Sequence, residues 1–219
     1  MDKQIDIVGR MFDFVYEMAM NDALNRVSDS KSDVLINDDV KKTVKDYSDV
    51  VTGVKKKEQE PNINSVIKDV VKYSDGKLTF GNGQKLVNMT LKYLYIEYRN
   101  SDSADFSVCH APMDSIMRDF VIDSYYIVQK KRRKQGEYPG FNYETAWSTL
   151  LDSTGEYESF QSAIKTIIDV AGLKVNGRKM SPVEFDYEFW GEAKRIKSKK
   201  TRSERKREIE KLWNEYINS

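Results

Sequence analysis

The chain has 219 residues, 39% hydrophobic and 32% charged, with 36 Lys+Arg against 35 Asp+Glu and a formal net charge of +1. That size supports one sizeable domain or two small ones with a heavily charged surface, and no apolar run approaches the ~20 residues of a membrane span. A single cysteine, Cys109, excludes an internal disulfide and a four-thiolate metal or iron–sulfur site, and a single histidine, His110, excludes a histidine-rich zinc centre.

Any catalysis must therefore rest on Lys, Asp, Glu, Tyr or the backbone, with no cofactor or metal. Near the N-terminus Asp2, Asp6 and Asp13 interrupt the apolar residues, unlike a secretory signal, so the expectation is a cytoplasmic protein.

In chain order, Ile5, Val8, Met11, Phe12, Val15, Met18 and Met20 recur at helical spacing and predict an amphipathic helix over residues 3–26. Residues 27–37 are rich in Ser and Asp and read as a loop. A second helix is expected from Val40 to Val54, followed by a charged connector that ends at Pro61. Ile63, Val66, Val70 and Val71 give the next helix one apolar face, and Ser74-Asp75-Gly76 is a turn signal. Gln84 to Tyr98 has the strongest helical pattern, and residues 99–111 read as a polar loop.

Beyond it, Asp114 to Val128 predicts a helix with Ile116, Met117, Phe120, Val121, Tyr125 and Val128 inward. Residues 135–143 form a Gly/Pro/aromatic loop. Further helices are expected over 144–151, 156–171 and 181–197, the last opened by the capping-box pattern Ser181-Pro182-Val183-Glu184. A charged helix over 201–217 carries Ile209, Leu212, Trp213, Tyr216 and Ile217 as its stripe. Few segments alternate like strands and no repeat is evident, so the class is all-α.

Charge is unevenly spread. Residues 1–60 carry 10 Lys+Arg against 13 Asp+Glu, and the remainder 26 against 22. Two basic clusters stand out, Lys130-Lys131-Arg132-Arg133-Lys134 and the tract Lys194, Arg195, Lys197, Lys199, Lys200, Arg202. Each reads equally well as a solvated helix face or as a phosphate-binding surface.

The segment Phe80-Gly81-Asn82-Gly83-Gln84-Lys85 and the later His110-Ala111-Pro112-Met113-Asp114 carry the most specific signal. A helix opening at a Gly-x-Gly turn offers unpaired N–H groups and a positive dipole end, which suit a phosphate. The order is helix, glycine hairpin, helix with Lys85 and Asn88, loop, then Asp114 opening another helix with Arg118. It resembles the helix-hairpin-helix DNA glycosylase superfamily, in its endonuclease III-like branches. The Pro112-Met113-Asp114 turn and the pair Asp186 and Trp190, one helical turn apart, are similar to the archaeal 8-oxoguanine DNA glycosylase branch.

The resemblance covers about 39 residues strongly and 181–190 more loosely. Phe80-Gly81 replaces the usual Pro-Gly, and the cluster cysteines of endonuclease III are absent. It implies two helical lobes around a central cleft in a single unit over 1–219. One lobe spans 62–128, with the hairpin and catalytic helices, and 1–61 plus 129–219 form the other.

The implied activity is excision of a damaged or modified base from double-stranded DNA by a monomeric enzyme, in repair or in defence against phages with modified bases. Asp114 and Lys85 would be catalytic. Gly81, Gly83, Gln84, Lys130, Arg132 and Arg133 would hold DNA, and Asp186, Trp190, Tyr143 and His110 would line the base pocket. Asp114 would stabilise an oxocarbenium-like transition state. If Lys85 reaches the sugar C1′ a Schiff base forms; otherwise water attacks and an abasic site is left.

The residue types alone also admit plainer roles. Aromatic residues Phe141, Trp147 and Trp190 suit a core, His110 a hydrogen-bonded turn and Cys109 a buried apolar site. A non-catalytic helical nucleic-acid-binding module and a helical protein-interaction domain are the competing readings.

Overall fold

The computed structural model describes residues 7–24, 37–56, 62–131, 140–141, 146–152 and 155–218. Among these the chain is almost wholly helical, with eight α-helices and one two-stranded hairpin. It divides into two compact units, Met1–Val108 and Cys109–Ser219. The lobes expected from the sequence, 62–128 against the rest, group the elements differently: the Lys85 helix and the helix after Asp114 fall in separate units. Among the described residues no helix is long and apolar enough to cross a membrane.

The first unit holds α1 (Ile7–Leu24), α2 (Asp38–Val51), α3 (Ile63–Tyr73) and α4 (Phe80–Tyr98). Helices α1 and α4 pack along each other, with Phe12, Val15, Tyr16, Ala19 and Met20 buried on one and Leu86, Val87, Leu91 and Leu94 on the other. Tyr93 on α4 donates to the Asp22 carboxylate on α1 at 2.5 Å. The starts of α2 and α3 are set by asparagines whose side-chain oxygens accept backbone N–H bonds, Asn37 from Asp39 and Val40, Asn62 from Asn64. The turn expected at 74–76 is present, with Asp75 and Gly76 at φ of 51° and 77°.

The second unit is organised by α5 (Ser115–Lys131), which packs against α6 (Glu156–Ala171), α7 (Pro182–Lys197) and α8 (Arg202–Asn218). Burial on nearly every side fits this central position: Met117, Phe120, Val121, Ile122, Ser124, Tyr125 and Val128 are all enclosed. Phe120 of α5, Phe185 and Phe189 of α7 and Trp213 of α8 form an aromatic knot, with ring centroids 4.8–6.3 Å apart. Of the stripe read in the last helix, Ile209 and Trp213 are core, Leu212 and Ile217 are half-buried and Tyr216 is exposed.

Two elements differ from expectation. Residues 144–151 do not form an α-helix where they are described; Trp147–Thr149 is a single 3-10 turn. Between α6 and α7 lies a hairpin, β1 (Lys174–Val175) and β2 (Arg178–Lys179), closed by Asn176 and Gly177, both at positive φ. Arg178 then reaches forward to Glu184, its Nη1 donating to Oε2 at 2.8 Å. The backbone N–H and hydroxyl of Ser181 donate to the same oxygen at 2.8 and 2.9 Å, so the capping box forms as read. Burial raises the Glu184 carboxyl, but Arg178 and Ser181 outweigh it and hold it below its usual range.

Candidate functional site

Asp114 sits just ahead of α5, where the first backbone N–H groups of a helix lack partners. Its Oδ1 accepts from the N–H groups of Ile116 and Met117 at 2.8 and 2.9 Å, which fixes the carboxylate as the cap of the central helix. Its Oδ2 faces the indole of Trp190 on α7, with Nε1 donating at a long 3.5 Å. Both side chains are half-buried.

One turn beyond Trp190, Lys194 places its ammonium 5.0 Å from the centre of the indole ring. Lys197 follows, donating to the Ser115 carbonyl at 2.8 Å and pairing with Asp119 at 3.3 Å. Residues 190, 194 and 197 lie on one face of α7 because residues three and four apart are helix-surface neighbours. The result is a carboxylate, an aromatic ring and two ammonium groups around one helix start.

The approach to Asp114 is held rigidly. Gln161 of α6 clasps the backbone of Ala111, accepting from its N–H at 3.1 Å and donating to its carbonyl at 2.8 Å. His110 lies 3.0 Å from the Tyr157 hydroxyl, ring nitrogen to oxygen. Burial, with a smaller push from Lys165, brings the His110 imidazole down to about 3, so the ring is neutral at physiological pH. In that state it is a hydrogen-bonded residue of the extended segment four positions before Asp114, and Cys109 next to it is buried.

The segment 80–85 takes a different form from the expected glycine turn. Thr79 caps α4, its hydroxyl accepting from the Asn82 N–H at 3.1 Å, and the helix has already begun at Phe80. Gly81 and Gly83 are thus buried positions in its first turn, and the turn itself lies upstream at 74–76. At Gly83 an added Cβ would stand 2.8 Å from Val71 Cγ2 of α3, so this glycine permits close helix packing. Gln84 and Asn88 are enclosed, with Asn88 donating to Gln84 Oε1 at 3.2 Å. Lys85 is half-buried on the same helix.

Of the remaining candidates, Asp186 is buried on α7 at 1% exposure, one turn before Trp190. Lys130 is exposed near the end of α5, beside a cavity of about 440 Å³ lined also by Asp123, Tyr126, Ile127, Lys206 and Glu210. Phe141 is core, its ring edge-on to Phe160 at 5.6 Å. Trp147 is buried as well. Arg132, Arg133 and Tyr143 lie outside the described residues. Gln161 carries no signal in the sequence, and Lys194 and Lys197 stand out there only as members of the basic tract; the i, i+4 spacing from Trp190 would have set Lys194 beside the indole.

Compared with known protein families, curated proteins and solved structures, the chain finds no match.

Proposed function

We propose that the protein is a DNA glycosylase that cleaves the N-glycosidic bond of a damaged or modified base, with Asp114 as the essential carboxylate. The observation that supports this is the double employment of Asp114, one oxygen holding the cap of α5 and the other facing the half-buried Trp190 indole. A carboxylate held by two backbone N–H groups keeps its position as positive charge develops on the sugar, so little reorganisation is needed. Trp190 offers a ring face for a flipped base, and Lys194 contributes positive charge beside it.

In the reaction, the C1′–N bond breaks as the sugar gains oxocarbenium character, which Asp114 stabilises. Water adds to C1′, its proton leaves, and the base departs protonated, leaving an abasic site. Lys85 joins the proposal through the sequence resemblance alone, as the amine that replaces water in a lyase branch.

The test is incubation with duplexes carrying oxidised, deaminated, alkylated or hypermodified bases. Asp114→Asn is the informative variant, because asparagine caps a helix about as well as aspartate but lacks the charge. Base release by wild type that is lost in this variant is the expected result; no release from any duplex rejects the proposal. Borohydride trapping by wild type but not Lys85→Gln identifies the lyase branch.

A second reading is a non-catalytic helical nucleic-acid-binding module. It is favoured by the capping bonds, which give Asp114 a sufficient structural role. It predicts salt-sensitive DNA binding with no base release.

A further inference from the structure

We propose that residues 194–202, where α7 ends and α8 begins, form a docking surface for the phosphate backbone of duplex DNA. This rests on DNA being the partner, as above, but not on base excision. Residues 194–207 hold nine Lys or Arg and one acidic residue, Glu204. They therefore carry +8 in a chain whose total is +1, so this stretch is one of two concentrations of positive charge, the other being Lys130–Lys134.

Some of these cations are engaged in holding the connection in place. Arg195 bonds Glu192 at 2.8 Å and Glu208 at 3.2 Å, tying α7 to α8. Lys197 ties the end of α7 to the start of α5 through Ser115 and Asp119. Arg205 donates to the Lys199 carbonyl at 3.2 Å, and Thr201 and Glu204 cap α8 reciprocally at 3.0 and 3.1 Å.

Several cations of the tract are also open to solvent. Lys194, Lys200 and Arg202 are exposed and Lys199 is half-exposed, and no ion pair among the described residues engages Lys199 or Lys200. A rigid base carrying unengaged ammonium groups suits a fixed row of phosphates, since few side chains need ordering on binding.

Duplex DNA fits better than an anionic membrane. The only apolar residue in 194–207 is Ile196, buried at 2% exposure, so no wedge is available to enter a lipid interface. From Trp190 to Lys197 the helix spans roughly 11 Å at helical rise, the length of about three base-pair steps. That stretch runs from the Asp114–Trp190 pair to the 198–201 connection, so a duplex laid along it passes the candidate carboxylate.

The experiment measures binding of the full chain to an unmodified duplex by fluorescence anisotropy between about 50 and 200 mM salt. Wild type is expected to show a slope of log affinity against log salt of about −3 or steeper. Lys199→Gln/Lys200→Gln/Arg202→Gln should flatten that slope by about 3 and weaken binding at least about tenfold at the lowest salt. Lys199→Arg/Lys200→Arg should keep both. Lys42→Gln/Lys56→Gln/Lys72→Gln removes the same charge from exposed positions of the first unit and should leave the slope in place.

An unchanged slope in the first variant, or equal flattening in the first-unit variant, overturns the proposal. So does tighter binding to phosphatidylserine vesicles or single-stranded RNA that the same substitutions abolish. Slope changes as expected without base release remove the glycosylase reading and keep this surface. Base release with an unaffected slope does the reverse.

Discussion

Two helix starts in this protein look alike in sequence and differ in structure. The start of α4 reads Thr79-Phe80-Gly81-Asn82-Gly83, and the start of α5 reads Asp114-Ser115-Ile116-Met117. Each is capped by a short polar side chain that accepts N–H bonds from the first turn. At α4 the capped turn is enclosed, and its glycine lets α3 approach to contact distance. At α5 the capping carboxylate keeps a second oxygen directed at a half-buried indole with a lysine beyond it. A helix N-terminus becomes a candidate site only where packing leaves part of it uncovered, and the glycines of α4 are where packing is tightest.

The sharpest way to break this contrast is Asp114→Asn. If the α5 start is functional, base release should fall by about 10²–10³, or roughly 3–4 kcal/mol in the barrier, with thermal stability unchanged. A matched loss of stability would make Asp114 merely a cap. Next in size, Gly83→Val should destabilise by about 1–3 kcal/mol because the new side chain meets Val71, measurable by urea denaturation. A neutral result would mean that α3 and α4 have room to spare.

Smaller effects compare the caps directly. Thr79→Ala and Asp114→Ala should each cost about 1 kcal/mol, but only the second should change DNA chemistry. A last prediction concerns His110. Its folded value near 3 lies below the unfolded 6.5, so the unfolded chain binds a proton first. Stability should then be complete above pH 6.5 and decline as pH falls toward 3. His110→Asn should flatten the upper part of that decline, between pH 6.5 and roughly 5, before carboxylates titrate. Identical pH profiles for variant and wild type would show that folding does not lower the affinity of the ring for a proton.

Most helices were legible because periodicity reports one buried face. The predicted spans 3–26, 156–171 and 181–197 correspond to Ile7–Leu24, Glu156–Ala171 and Pro182–Lys197. The Ser181–Glu184 capping box was legible for the same kind of reason, since all its bonds fall within four residues. The hairpin at 174–179 was missed although Asn176-Gly177 is a strong turn signal, because two-residue strands leave no alternation to count. The 3-10 turn at Trp147 was misread because a short run rich in helix-compatible residues carries no information about length.

By itself the sequence determined the all-α class, most helix spans, the caps and the concentration of positive charge after residue 194. These depend on neighbours within about two turns of chain. Tertiary structure alone decided that α5 is the central helix of its unit, and that Gly83 serves packing rather than a turn. It also brought Trp190 to Asp114 across 76 positions of chain and set Gln161 on the Ala111 backbone. Such contacts arise because burying whole helix faces orders residues whose own pattern says nothing about their partners.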